Sequence, residues 1–456
     1  MRVTNQEQIE LPNPRGPSKA VERVAGFILF WALGVSLAAG QQPSATLSTA
    51  TSAPQAEPST VPSTPLAKLV EEAQRNNPEV LAAQRAWQAA AQVPSQVSTL
   101  PDPQVTVQDV SAGTPIPFWD YNTVQMTFLG FGVSQALPYP GKLRLRGEVA
   151  RRQAASLGDR LESVRRSVAE QVKVTYFRLS YIQKTLEILA RDQALIDRIE
   201  KIAEARYRVG QGNQQDVLKA QLERTKLLRD ITESRQQLGT QEAQLKQLLN
   251  RPPGSPEIVA ETTTETPLRY GSDDLLALVP AGNPDVSAQQ QMVRSKSLGV
   301  ELARKDYYPD FNVQYMWQRT GAPFPDRYSL ALGIKIPIYH SRRQDPELAQ
   351  AAEALNQSRR EYEAQVQQAY FEVKDQYLAA DSSAKVLKIY REGLIPQATA
   401  SFEAGLAAYQ VGQEDFQSLL ASFVDVLNLD MEYWRTLADH ESALARLERL
   451  TGVSFP

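Results

Sequence analysis

The sequence predicts a mainly α-helical protein with a small β part, in which one plan of helix, two strands and long helical hairpin occurs twice. Three observations carry that prediction. First, four short segments return in order at nearly one spacing. Asn76-Asn77-Pro78-Glu79-Val80 returns as Gly282-Asn283-Pro284-Asp285-Val286, and Leu100-Pro101-Asp102-Pro103-Gln104-Val105 as Tyr308-Pro309-Asp310-Phe311-Asn312-Val313. Ala136-Leu137-Pro138-Tyr139 returns as Lys335-Ile336-Pro337-Ile338, and Tyr207-Arg208-Val209-Gly210-Gln211 as Tyr409-Gln410-Val411-Gly412-Gln413; the offsets are 206, 208, 199 and 202. A tandem duplication explains this order. Second, apolar residues step by three or four through very long proline-poor stretches. Third, short alternating runs sit between those stretches.

Composition narrows the function. The 49 basic and 52 acidic residues give a net charge of -3, with no basic surplus for nucleic acid. The absence of cysteine excludes disulfides, thiol chemistry and Cys-ligated zinc. The two histidines, His340 and His440, are far apart, which argues against a histidine metal site in one chain. No catalytic triad, metal cluster or phosphate loop is recognisable, so neither an enzyme nor a cofactor is expected.

Residues 1–40 read as a signal peptide. Arg15, Lys19 and Arg23 precede an apolar run from Val24 to Ala39, and Ala38, Ala39 and Gly40 supply small residues for cleavage. A membrane anchor is the alternative, but the run falls short of the ~20 residues that a spanning helix needs. Residues 41–64 are rich in Ser, Thr, Pro, Gln and Ala and read as a disordered linker.

The first repeat is expected over 65–250. Helical patterning runs from Leu66 towards Val97. Strands follow at about 103–110 and 124–137. In the second, the apolar phase changes between Phe128 and Phe131, and Gly130 and Gly132 suggest a bulge there. From Lys142 to Arg208 there is no proline, and Leu161, Val164, Val168, Val172, Leu179, Ile182, Leu186 and Leu189 form a coiled-coil seam. A return arm runs from Gln214 to Asn250, where Pro252 and Pro253 stop it. Residues 251–273, Pro- and Thr-rich, link the repeats.

The second repeat is expected over 274–452, with strands at about 310–319 and 328–338. Phe311, Val313, Tyr315 and Trp317 alternate with polar residues, as do Tyr328, Leu330, Leu332, Ile334 and Ile336. Spanning strands have about this length and alternation, and so do soluble hairpins with one buried face. The outgoing arm runs from about Asp345 to Ala408, with a bend expected at Pro396, and the return arm from Asp415 to about Leu450.

These pieces demand company. Four strands close no barrel, and open strand edges do not face lipid. Long helices with narrow apolar seams also need neighbours. Both arguments predict a ring-shaped oligomer with a short barrel and a long helical tube.

Over residues 66–452 the chain resembles the TolC-like outer-membrane efflux family. The resemblance rests on the duplicated plan, the strand exit Val133-Ser134-Gln135-Ala136-Leu137-Pro138-Tyr139-Pro140-Gly141-Lys142, the hairpin tip Ala205–Leu218 and the matching tip Ala408–Leu420. It implies a homotrimer in outer-membrane lipid, twelve strands closing one β-barrel, and a coiled-coil α-barrel crossing the periplasm. It also implies a passive exit duct serving an inner-membrane pump and a periplasmic adaptor (membrane fusion) protein, without catalysis. The Pro-Tyr-Pro-Gly-Lys exit is closer to the heavy-metal branch. A protein-secretion duct of type I would share this architecture, and a periplasmic coiled-coil scaffold is the rival from another class.

The resemblance also assigns roles. A Val-Gly-Leu triplet at each tip docks the adaptor; here Val209-Gly210 and Val411-Gly412 match, while Gln211 and Gln413 occupy the third position. By spacing alone the two glycines are explained by a tight turn. The family's closing pair at the periplasmic entrance falls on Tyr409 and Asp216, its arginine position holds Glu414, and acidic positions of some relatives fall on Ser418 and Ala421. Glu414 and Asp415 then offer either a replacement acidic ring or two ordinary carboxylates at a helix start. His340 is expected at the membrane interface. Phe118, Trp119, Tyr121, Phe324 and Tyr328 are expected to form an outer aromatic girdle.

Overall fold

A computed structural model describes residues 63–455 apart from 114, 123 and 322. The expected signal peptide lies outside the described residues, as does the expected linker up to residue 62. In the first repeat, α1 (Leu66–Asn76) and α2 (Pro78–Ser98) lead into β1 (Gln104–Val110), β2 (Phe128–Leu137), α3 (Lys142–Arg208) and α4 (Gln214–Leu248). In the second, α5 (Ser272–Gly282) and α6 (Pro284–Lys305) lead into β3 (Asp310–Arg319), β4 (Arg327–Lys335), α7 (Gln344–Ile389), α8 (Ile395–Val411) and α9 (Phe416–Thr451).

The repeated Asn-Pro pairs are helix restarts. Asn77 is extended, and its Oδ1 accepts from the backbone N–H of Glu79 (2.9 Å) and Val80 (3.4 Å). Asn283 does the same for Asp285 (3.0 Å) and Val286 (3.2 Å). The proline takes the first helical position, where its missing N–H costs nothing.

The 67 residues of α3 make a helix about 100 Å long. Three apolar cores lie along the helical body. One joins Leu69 and Val80 to Val172, Leu179 and Leu245 within the first repeat. A second joins Leu275 and Val286 to Val373 and Leu447 within the second. The third draws on both hairpins, packing Ile188, Ile196 and Leu227 against Phe402, Phe416 and Phe423. The hairpins are thus bound side by side up to their tips.

The irregularity expected at Pro396 is a π turn over Tyr390–Leu394. The Ile395 N–H reaches back five residues to the Tyr390 carbonyl. The wider turn lets the helix pass a residue that has no N–H and whose ring crowds the preceding turn.

The link between the repeats is a fastened strap. It has no helix or strand before Ser272, yet Ile258 is fully buried. The Glu261 N–H donates to Tyr176 Oη (2.7 Å), Ser180 Oγ donates to the Glu261 carbonyl (3.1 Å), and the Thr266 N–H donates to Glu441 Oε1 (2.7 Å). His440, fully buried, places Nε2 2.8 Å from the Thr266 carbonyl.

The strands form one antiparallel sheet in the order β1-β2-β3-β4. Two expectations need correction. No bulge occurs at Gly130 or Gly132, because the β1–β2 register runs without a break from Gln104↔Ser134 to Val110↔Phe128. The second strand also starts later than residue 124. Val124 and Met126 precede it, in a turn where Thr127 donates its N–H (2.9 Å) and its Oγ1–H (2.7 Å) to the Val124 carbonyl. The apolar phase changes because the chain leaves a turn, with no extra residue inserted. At the other end β4 stops at Lys335, and the Ile338 N–H folds back on the Ile336 carbonyl (3.0 Å).

Two glycines separate close packing from open helix surface. A Cβ on Gly282 would lie 2.3 Å from the Thr451 carbonyl oxygen, whereas one on Gly239, exposed in α4, would meet nothing within 4 Å. Gly282→Ala is expected to destabilise by about 1–3 kcal/mol through overpacking. Gly239→Ala is expected to stabilise by about 0.5–1 kcal/mol through helix propensity. Thermal melts followed by circular dichroism in detergent check both signs.

Candidate functional site

The candidate site is built from two elements far apart in sequence: the paired hairpin tips and the four-stranded sheet. Each tip ends its outgoing helix in the same way. Gly210 has φ +74° and Gly412 has φ +82°, the left-handed region that favours glycine. The Gly210 N–H donates to the Tyr207 carbonyl (3.1 Å) and the Gln211 N–H to the Arg206 carbonyl (2.9 Å). In the second tip the Gly412 N–H donates to Tyr409 (3.1 Å) and the Gln413 N–H to Ala408 (2.9 Å). These paired bonds absorb carbonyls that the helix end leaves free. The side chains just before the glycines then point outward, Val209 68% and Val411 70% exposed, beside exposed Gln211 and Gln413.

One side chain clasps the two tips together. The Arg206 guanidinium lies 4.6 Å from the centre of the Tyr409 ring. It donates to the Tyr409 carbonyl through Nη1 and to the Gln211 carbonyl through Nη2 (3.1 Å). Gly412 is needed for its φ, and a Cβ there would also sit 3.3 Å from Nη2, close enough to displace the guanidinium slightly. The Tyr409 ring also meets Phe416 edge-on at 5.5 Å. A second link, Lys219 Nζ to Gln417 Oε1 (3.1 Å), crosses between the hairpins nearby.

The Tyr409–Asp216 hydrogen bond implied by the family resemblance is not formed within the chain. Tyr409 is buried and its Oη has no hydrogen-bond partner. Desolvation holds its phenol pKa above the ordinary value, the Asp216 charge adds to that rise, and Arg206 opposes it. Asp216 is therefore close enough to be felt without being bonded.

Asp415 caps α9. Its Oδ1 accepts from the Gln417 N–H (2.5 Å) and the Ser418 N–H (3.0 Å). Those bonds, the one from Ser418 foremost, lower its carboxyl pKa. Glu414 stands beside it, half-exposed.

The sheet has two unlike faces. Val105, Val107, Phe131, Val133, Tyr315, Leu330, Leu332 and Ile334 share one face by register. They are exposed, Val105 and Leu332 at 73% each. Thr106, Gln108, Gly130, Gly132, Asn312, Gln314, Ser329 and Gly333 share the other. A soluble hairpin pair would cover the apolar face; here nothing among the described residues does. At the loop end of the sheet Phe118, Trp119 and Tyr328 are exposed, while Tyr121 and Phe324 are half-buried. His340 lies exposed just past β4, with Nδ1 3.8 Å from the Asp345 carboxylate.

Residues 69–251 and 275–453, one stretch in each repeat, match the outer membrane efflux protein family. The chain belongs to that family. This efflux protein therefore resides in the bacterial outer membrane, with its long helices extending into the periplasm, and it shares its family with channels rather than enzymes. It is 22% identical over 353 residues to the outer membrane efflux protein BepC of Brucella suis biovar 1 (strain 1330), covering 75% of each chain. Its fold is shared with solved channels. Crystal structures of CusC superpose with a TM-score of 0.74 at 17% identity, covering 85% of this chain and 92% of that one. VceC of Vibrio cholerae gives 0.73 at 17% identity, over 86% and 97%. The open-state MtrE channel of Neisseria gonorrhoeae gives 0.70 at 16% identity, over 85% and 88%.

Arg206 is the residue that sequence reasoning missed. It lies inside the tip motif, and a base in the last turn of a helix is ordinarily read as a partner for its own helix end. Its reach to the other hairpin depends on how the hairpins pack. Arg206→Ala is expected to speed amide hydrogen exchange at both tips, and Arg206→Lys to recover only part of the protection. Exchange followed by mass spectrometry checks this; faster exchange confined to the first tip would contradict a clasp.

Proposed function

We propose that this efflux protein is a trimeric exit duct, passive and gated, that receives substrate from an inner-membrane pump through a periplasmic adaptor. The observation that carries this reading is the open four-stranded sheet, apolar on one face, with β1 and β4 at edges that no described residue pairs. In hydrocarbon an unpaired edge leaves backbone donors and acceptors without water. Three copies supply twelve strands, enough to close a barrel with the apolar face towards lipid and the amide-rich face towards the lumen. Detergent-extracted protein is expected to be a trimer in native mass spectrometry; a stable folded monomer would sink the reading.

At the periplasmic end, the exposed Val209-Gly210-Gln211 and Val411-Gly412-Gln413 turns form the adaptor-docking surface. Gly210→Asp or Gly412→Asp is expected to abolish efflux while the trimer still reaches the membrane. Normal efflux in both variants would remove the docking role.

The entrance is held closed at Tyr409 and Asp216, with Arg206 as the main tether. Arg206 holds the Tyr409 carbonyl and ring face, neither of which needs the phenol hydroxyl. A hydrogen bond from a charged group contributes about 1.5–3 kcal/mol. Arg206→Ala is therefore expected to raise single-channel conductance in a planar bilayer, and Tyr409→Phe to leave it near wild type. The opposite pattern would return closure to a bond between Tyr409 and Asp216. Glu414 and Asp415 make the mouth acidic in this reading, so the same recordings should show cation preference, weakened in Glu414→Gln.

A further inference from the structure

We propose that the cavity between α3, α4 and α9 is a lumenal station for organic monoanions, held through a carboxylate by Arg178 and Arg435. This rests on the trimeric duct reading above and names the class of substrate that the duct favours.

The site is made by three helices of one chain. A cavity of about 440 Å³ is lined by Arg178 and Tyr181 from α3, Gln241 from α4, and Arg435 and Asp439 from α9. Buried Ile182 and Ala438 give it an apolar wall for a carbon skeleton. Arg178 and Arg435 make no hydrogen bond or ion pair among the described residues. Their neighbours along the same helices are paired. On α3, Lys173 holds Glu448, Lys184 holds Glu187 and Arg191 holds Asp192, while on α9 Arg446 and Arg449 share Glu170. Two like charges brought to the wall of one cavity repel. A carboxylate between them turns that repulsion into two attractions, and each planar guanidinium can offer it two N–H groups.

The wall also carries an unanswered acceptor. Gln241 Oε1 is buried and has no hydrogen-bond partner. An acceptor left unpaired in the interior is costly, so a ligand gains by bringing an N–H or O–H to it. Asp439, exposed and likewise unpaired among the described residues, favours the same donor and disfavours a second negative charge. The chemistry that fits is therefore one carboxylate with an amino or hydroxyl group nearby.

Its place in the fold makes the site lumenal. The strap is fastened on α3 by Tyr176, Ser180 and Gln183, and on α9 by His440 and Glu441. At 3.6 residues per turn, Arg178 and Arg435 each lie about 170° round their helix from those fastenings. The cavity thus opens on the face opposite the strap. In the proposed tube an added layer of chain stands outside if the passage is to stay open, so the bare face lines the lumen. Three copies then set six arginines and three aspartates round it, a net positive ring. That ring lies about 30 Å along α9 from Glu414 and Asp415 at the mouth.

The probe is 7-amino-4-methylcoumarin-3-acetic acid, with one carboxylate and one amine. The parent 7-amino-4-methylcoumarin lacks the carboxylate. Full-length protein in neutral detergent is titrated against each and followed by fluorescence anisotropy. The acid is expected to bind and the parent amine not to. Binding of the acid is expected to weaken about fivefold or more in Arg178→Gln and in Arg435→Gln, and to strengthen in Asp439→Asn. All three side chains are exposed, so the variants keep the buried core. Absence of binding, equal binding of acid and amine, or unchanged binding in both arginine variants overturns the site. The chain has no cysteine, so Tyr181→Cys offers a single thiol per copy. A bulky polyethylene-glycol maleimide attached there is expected to reduce single-channel current stepwise in a planar bilayer. Full labelling with unchanged current overturns the lumenal placement. An extracted monomer that still binds the acid overturns the trimeric reading and leaves the site standing.

Discussion

Everything in this protein is arranged around the fact that hydrocarbon offers no hydrogen bonds. A sheet of four strands placed there must have both edges satisfied by protein, and the chain has no further strand to offer among its described residues. On the proposed reading, a demand local to a few backbone groups would set the scale of the assembly. In the proposed ring, copies that close the sheet would also bring their long helices together. The α3 seam is already buried within one chain, with Val172, Leu179 and Leu189 at 0% exposure, so in the proposed ring the helices would meet through their other faces, and tube and barrel would be two results of one constraint.

Much of this was legible in the residues because the signals were local. Asn77-Pro78 and Asn283-Pro284 announce helix restarts whose caps need only the next two backbone N–H groups. Gly210 and Gly412 mark turns that a left-handed residue must make. The tip and strand-exit motifs, set on the duplicated plan, sufficed to point to the family that the chain matches. What failed to show depended on context. Val124 and Met126 looked like a strand in another phase because alternation alone does not reveal a turn closed by Thr127. Pro396 announced trouble, but choosing between a kink and a π turn required the surrounding helix. Arg206 was invisible as a clasp because the acceptor that makes it one, the Tyr409 carbonyl, lies 203 residues away on the other hairpin.

The two repeats have also diverged where it matters. The tips share their turn bonds, yet the position of Arg206 is taken by Ala408 in the second tip. One hairpin therefore holds and the other is held. A perfectly symmetric pair of tips would have no such polarity. If the tips form the proposed gate, this asymmetry would let the clasp be released from one side only, a polarity that a gate between identical elements lacks.

The strap between the repeats has a consequence for assembly. Its bonds to Tyr176, Ser180 and Glu441 hold both repeats to one body before any second copy arrives. In a ring built from separate repeats, every junction would form by collision and would weaken on dilution. Joining the repeats makes alternate junctions intramolecular, with the high effective concentration that a short tether confers. In the proposed trimer, duplication followed by fusion would halve the number of encounters that depend on how much protein the membrane contains.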